Sequence, residues 1–184
     1  ILAEPGFNRQ GSTAIIACIQ GSNLVVANAG DSRAVLCSTD ADGHIVATAL
    51  STDHKSSNAA EKARVEATEY AEGHRGFVVL NPIARVMGVL AVTRAFGNNN
   101  AVPTTLITPT PDVHPHDLQT GGDFLILACD GLWDVVSNED ACDIVMAHQN
   151  DLFAASQALV EAALTRGSKD NITAMVIDLR RYRA

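Results

Sequence analysis

Aromatic residues are scarce in this chain: Phe, Trp and Tyr together make up 4% of its 184 residues. Val, Ile, Leu and Ala must therefore fill any core. No apolar run approaches the roughly 18 uncharged residues of a membrane span. No CxxC pair is present, and the four cysteines (Cys18, Cys37, Cys129, Cys142) are widely separated. Zinc ligation and a disulfide framework are disfavoured; Cys18, Cys37 and Cys129 lie in apolar runs and read as small buried hydrophobes. That usage points weakly to an intracellular, cytoplasmic or nuclear, setting. Basic residues are the minority, 13 against 21 acidic, for a net charge of −8. A nucleic-acid footprint and binding to an acidic membrane surface are both disfavoured. No signal peptide, repeat or low-complexity segment is visible, and the first residue is Ile1 rather than Met, which suggests a piece of a longer protein.

What is present is a run of short apolar segments. Thr13 to Ile19 and Asn23 to Asn28 read as strands around a Gly21-Ser22 turn. Ala34 to Cys37 and His44 to Ala49 repeat the pattern around "STDADG". Asn58 is a helix cap with Glu61 at the capping-box position, and Gly73 stands where that helix would end. Gly76 to Leu80 returns to strand. Asn98 to Pro115, with four prolines, reads as an extended loop. Phe124 to Cys129 is a six-residue apolar run, the signature of a fully buried strand. Ser137 and Asp151 cap two further helices, the second running to Gly167 with Phe153, Leu159, Val160, Ala163 and Leu164 at helical spacing. Asn171 to Leu179 is a last strand. Strand runs broken by helices, without regular βαβ alternation, predict a single α+β domain over residues 1–184 with packed antiparallel sheets.

Three acidic turns stand at the ends of apolar strands: Asp31 in "NAGDSRA", Asp130 in "LACDGLWD" and Asp170 in "GSKDNITA". Any one of them is ordinary turn chemistry, because Asp bonds its own local backbone. Brought together, such carboxylates would suit a hard cation such as Mg²⁺ or Mn²⁺. Trp133 reads as a core anchor below the Asp130 turn. Arg33 and Arg94 read as turn-holding cations rather than phosphate contacts. His54, His74, His114, His116 and His148 lack ligand spacing. The "DGH" at Asp42 to His44 reads as a hairpin turn.

The order of these segments resembles the metal-dependent serine/threonine protein phosphatases of type 2C. "GSTA" (Gly11 to Ala14), "NAGDSRAVL" (Asn28 to Leu36), "LSTDHK" (Leu50 to Lys55), "RVMGVLAVTRAFG" (Arg85 to Gly97), "PDV" (Pro111 to Val113), "FLILACDGLWDVVSN" (Phe124 to Asn138) and "GSKDNIT" (Gly167 to Thr173) follow one another as in that family. Glu61 and Arg64 match the helix after "DHK". The resemblance implies an αββα phosphatase sandwich: two packed antiparallel sheets flanked by helices, here with N-terminal elements missing. It implies two Mg²⁺ or Mn²⁺ ions bridged by a water or hydroxide that attacks phosphoserine or phosphothreonine in proteins. Asp130 and Asp170 match metal ligands, and Asp31 matches a ligand of a third, weaker site found in many members. The family's acidic ligand, phosphate-binding Arg and Asp-Gly-His-Gly-Gly motif precede "GSTA", where this chain has ten residues. The general acid is therefore expected upstream, with no catalytic residue in this chain. Two departures, Ser56 for Pro after "DHK" and Asn98 to Asn100 after "RAFG", bear on substrate recognition. A catalytically inactive phosphatase-like binding module is the alternative. Sheet edges left open would favour self-association.

Overall fold

A computed structural model describes residues 10–80, 82–98 and 101–182. Contacts within the chain gather into two compact units. The larger comprises residues 15–27, 32–52 and 113–182, the smaller residues 10–14, 28–31 and 53–112 within those described.

The larger unit is built on a strand with both faces covered. Phe124–Ala128 is flanked by Ala174–Asp178 on one side and Arg33–Thr39 on the other, both antiparallel, and Ile45–Ala49 extends the sheet. Its register pairs Ile126 with Val35 and Val176, and Leu125 with Leu36 and Ile177. Side chains alternate across a strand. Phe124, Ile126 and Ala128 therefore join Val35 and Cys37 on the face packed by the helices α3 (Asn138–Ala147) and α4 (Leu152–Thr165). Leu125 joins Ala34, Leu36, Leu24, Val26, Leu118 and Leu179 on the other face. There a second sheet, with strands ordered Asp112–Asp117, Asn23–Ala29 and Ala14–Gln20, closes the sandwich. Fully burying Phe124, Leu125 and Ile126 contributes roughly 1.5–3 kcal/mol apiece before entropy is counted. An α+β fold with packed antiparallel sheets is what the pattern predicted.

The helix caps are those expected. Ser137 accepts from the Asp140 N–H at 3.1 Å, and Asp151 from the N–H groups of Phe153 and Ala154. The buried stripe of α4 differs from the predicted one. Ala155, Leu159 and Ala163 face the sheet, while Phe153 and Leu164 are exposed. Ala155 and Ala163, one turn either side of Leu159, keep the buried face slim, and Phe153, two residues before Ala155, falls about 200° away around a 3.6-residue turn. Pro115 is another correction: it lies inside the Asp112–Asp117 strand, not in a loop. That strand is at the edge of its sheet, where a missing N–H is tolerated. Cys18 is exposed and Cys129 half-buried, so of the three cysteines in apolar runs only Cys37 is buried as expected; Cys142 is buried as well. The Cys142 thiol beside Cys37, together with burial, pushes the Cys37 thiol upward and keeps it protonated.

In the smaller unit, α1 (Ala59–Ala67) packs Val65 against Val86, Ala95, Val102, Leu106 and Ile107. Asn58 caps α1 as predicted, its Oδ1 accepting from Ala60 and Glu61. Glu61 does not complete a capping box. The Asn58 N–H donates to Lys55 instead, and the Glu61 carboxylate turns inward. Gly73 is not the helix end: α1 stops at Thr68, and Gly73 (φ +72°) turns a short hairpin between Glu69–Ala71 and His74–Arg75. Ser56, where the resemblance led us to expect Pro, donates its N–H to the Ala91 carbonyl at 2.7 Å and its hydroxyl to the same oxygen at 2.6 Å. Proline could make neither bond. Asn98 donates its N–H to the Gln10 carbonyl; Asn99 and Asn100 lie outside the described residues.

Glu61 is the hub of a buried ionic network. It receives Arg94 at 2.8 Å, Arg64 at 3.2 Å and the Thr93 hydroxyl at 2.6 Å. Arg94 also donates to Asp112 at 2.6 Å, and Arg64 to the carbonyls of Thr93 and Leu106. Burial pushes the Glu61 carboxyl upward, but the donors outweigh it and lower it to about 2 from 4.5. The ionised form is thus favoured by folding. Its contribution is complete above about pH 4.5 and lost as pH falls toward 2. A shift of this size corresponds to roughly 3 kcal/mol. Urea unfolding followed across pH 2 to 7 should show stability falling through that window. Glu61→Gln should lose about 3 kcal/mol at pH 7, by leaving two guanidinium groups short of a charge, and should flatten the acid limb. An unchanged acid limb in Glu61→Gln would assign the loss to other carboxylates.

Candidate metal centre

The carboxylate at the exit of the buried strand is placed by its neighbours on the chain. Phe124–Ala128 ends where Cys129 turns the backbone, and Asp130 opens α2, a single helical turn from Asp130 to Trp133. Trp133 folds back so that its indole N–H donates to the Ala128 carbonyl at 3.0 Å. With Leu132 fully buried and Trp133 nearly so, the turn is pinned to the end of the strand. Trp133 is the core anchor that was predicted. Arg33 lies over its ring at 5.2 Å and donates to the Asn138 side chain at 2.8 Å. Arg94 sits in the Glu61 network. Arg94 bonds carboxylates and a carbonyl, as expected, though those carboxylates lie in a helix and at a strand start rather than in turns.

The Asp170 turn is laced to this one through backbone. Cys129 donates its N–H to the Thr173 carbonyl and its thiol to the Asn171 carbonyl, each at 3.2 Å, and the Thr173 N–H returns to its sulfur. The Ser168 hydroxyl donates to the Gly131 carbonyl at 2.7 Å. A Cβ on Gly131 would stand 2.2 Å from the Asn171 carbonyl oxygen, so only glycine permits the approach. Asp130 adjoins Gly131 and Asp170 adjoins Asn171, so the two carboxylates spring from backbones in direct contact. Asp170 also accepts the Asn171 N–H at 2.7 Å. Two carboxylates carried on interlocked turns, one of them at the end of a packed strand, suit an oxygen-seeking cation such as Mg²⁺ or Mn²⁺. Ser168, Gly131 and the Cys129 sulfur were not singled out by sequence; their only signal was proximity to the Asp-Gly and Asp-Asn pairs.

Asp31 belongs to the smaller unit. It is 7% exposed and follows Gly30, whose φ is +121° and whose Cβ would strike Thr13 at 2.3 Å. The Asn28 side chain donates to the Gly30 carbonyl at 3.0 Å. The "DGH" of residues 42–44 is a hairpin turn, as read: the Asp40 carboxylate accepts the N–H groups of Asp42 and His44. The ligand atoms of Asp40, Asp42 and His44 lie within 4.8 Å of one another on an exposed loop. Among the other histidines, the ring Nδ1 of His74 and that of His148 meet the carbonyls of Glu72 and Ile144. His114 and His116 occupy one side of the Asp112–Asp117 strand, each with a buried Nε2 that has no protein partner in the structure. His54 is the one whose part was missed. It is 1% exposed and bridges Gly30 to Asp112.

Residues 6–172 match the sequence model of the family described as protein phosphatase 2C. "Probable protein phosphatase 2C 68" of Oryza sativa subsp. japonica is 42% identical over 179 residues, covering 95% of this chain and 46% of that protein. "Protein phosphatase 2C 37" of Arabidopsis thaliana is 37% identical over 195 residues, covering 99% and 46%. The crystal structure of a serine-threonine phosphatase 2C from Toxoplasma gondii superposes with a TM-score of 0.78 at 28% identity, over 93% of this chain and 59% of that one. The chain thus spans about half the length of the curated relatives it matches. With the motif order, the sandwich and the interlocked Asp130 and Asp170 turns pointing the same way, the chain belongs to the protein phosphatase 2C family.

Proposed function

We propose that this chain is part of a protein serine/threonine phosphatase that removes phosphate from phosphoserine and phosphothreonine in proteins, using bound Mg²⁺ or Mn²⁺. The observation that carries the reading is the backbone contact between Gly131 and Asn171, the residues that directly follow Asp130 and Asp170. Asp130 and Asp170 hold the working cations, and Asp31 is a ligand of a third, outer one. A pair of such cations supplies Lewis acidity, making water acidic enough to attack near neutral pH and offsetting charge on the phosphoryl oxygens. The protein's own part is to fix the turns that carry Asp130 and Asp170, through Trp133 on the strand end and Ser168 across the turns. No residue of this chain is assigned the leaving-group proton. The four free cysteines support an intracellular setting. No described helix is long and apolar enough to cross a membrane.

A second reading, a phosphatase-like module that binds without hydrolysing, is favoured for the 184 residues taken alone. They cover about half of their relatives and contain no Asp-Gly-His-Gly-Gly motif. Assayed with Mn²⁺ and a phosphothreonine peptide, the isolated chain should show little or no hydrolysis. Turnover near that of a full-length relative would sink this second reading.

Calorimetric titration with Mn²⁺ tests the centre itself. Asp130→Asn and Asp170→Asn should each weaken binding about tenfold or more, since each removes a ligand charge. Equal affinity in all three proteins would remove these residues from the centre. Gly131→Ala should cost about 1–3 kcal/mol of stability, because its obstacle is backbone and cannot swing aside, and should weaken Mn²⁺ binding in parallel. A Gly131→Ala protein that melts and binds Mn²⁺ like the wild type would refute the contact.

A further inference from the structure

Gly30 is held at both of its peptide groups by one buried side chain and its backbone. The His54 N–H donates to the Gly30 carbonyl at 2.9 Å, and the His54 Nδ1 accepts the Gly30 N–H at 3.2 Å. A backbone N–H can only donate, so Nδ1 must present its lone pair and the ring proton must sit on Nε2. That nitrogen faces the Asp112 carboxylate at 3.0 Å, which accepts it. Arg94 holds Asp112 at 2.6 Å, and Glu61 holds Arg94. The His54 carbonyl is fixed by the N–H and hydroxyl of Thr93 at 2.9 and 3.1 Å. The clamp is thus supported from behind by the whole ionic network.

The Gly30 carbonyl and the Asp31 N–H share one peptide plane, which cannot twist without cost. Fixing Gly30 on both sides therefore fixes where the Asp31 side chain starts. We propose that His54 is a positioning residue for Asp31, presenting its carboxylate in one orientation to a divalent cation. This rests on the reading of Asp31 as a cation ligand. His54 acts through Gly30. Groups that orient a ligand are commonly worth 10- to 100-fold in metal affinity.

The test combines the histidine tautomer with Mn²⁺ affinity. Nitrogen-15 NMR of the wild-type protein should show the His54 proton on Nε2. His54→Gln can still donate to Asp112 but lacks an acceptor for the Gly30 N–H. His54→Asn places its Oδ1 near the position of Nδ1 and keeps that acceptor. Titration with Mn²⁺, read by electron paramagnetic resonance, should show an Asp31-dependent class of ion lost in Asp31→Asn. His54→Gln should weaken that class about tenfold, and His54→Asn by less than about threefold. In the Asp31→Asn background, His54→Gln should change nothing further, which general destabilisation would not produce. Unchanged Mn²⁺ binding in Asp31→Asn would overturn the ligand reading of Asp31, and the positioning role with it. A loss in Asp31→Asn with wild-type binding in a folded His54→Gln would overturn the positioning role alone. If His54→Gln does not fold, the other two measurements decide. A proton on Nδ1, or a tenfold loss in His54→Asn, would overturn the proposal.

Discussion

The structure depends on burying one strand from both sides. Phe124–Ala128 has a paired strand on each edge, helices over Phe124 and Ile126, and a second sheet under Leu125. A slip of one residue would exchange its two faces, placing side chains shaped for the helical layer against the sheet and the reverse. The register is therefore strongly held. Everything at the strand's end inherits that precision: the Cys129 turn, the Trp133 indole on Ala128, and Asp130 at the first position of α2.

The smaller unit solves a different problem with charge. Glu61 and Arg94 are largely buried ions, which lose water on burial, while Arg64 and Asp112 meet them from the partly exposed margin. The network persists because every member has partners: Arg94 serves two carboxylates, and Thr93 and His54 satisfy the remaining oxygens. A network satisfied this fully is directional, unlike an apolar contact, and it specifies the orientation of the groups it touches. Gly30, gripped by His54 at its N–H and its carbonyl, is where that orientation reaches an acidic turn.

Much of the fold was legible along the chain, because strand and cap signals are local. The Phe124 run, the Ser137 and Asp151 caps, the Asp42–His44 turn and the Trp133 anchor are all where their residue types place them. The misreadings share one cause. Gly73, Pro115, Phe153 and Glu61 each carry a strong local preference that pairing or packing redirected. Residues 69–71 drew Gly73 into a hairpin, an edge position admitted Pro115, two arginines took the Glu61 carboxylate from the helix cap, and packing of Ala155, Leu159 and Ala163 on the sheet turned Phe153 outward.

Asp31, Asp130 and Asp170 were recognisable as acidic strand-end turns from sequence, and the order of the motifs around them was enough to indicate a family. Whether such turns meet is not a local property. Only the tertiary structure brought Gly131 against Asn171, leaving no room for a Cβ, and only it joined His54 to Gly30 across 24 residues of sequence. Turn chemistry depends on neighbours along the chain and can be read there. Convergence depends on which strands share a sheet, and that is settled by burial summed over the whole domain.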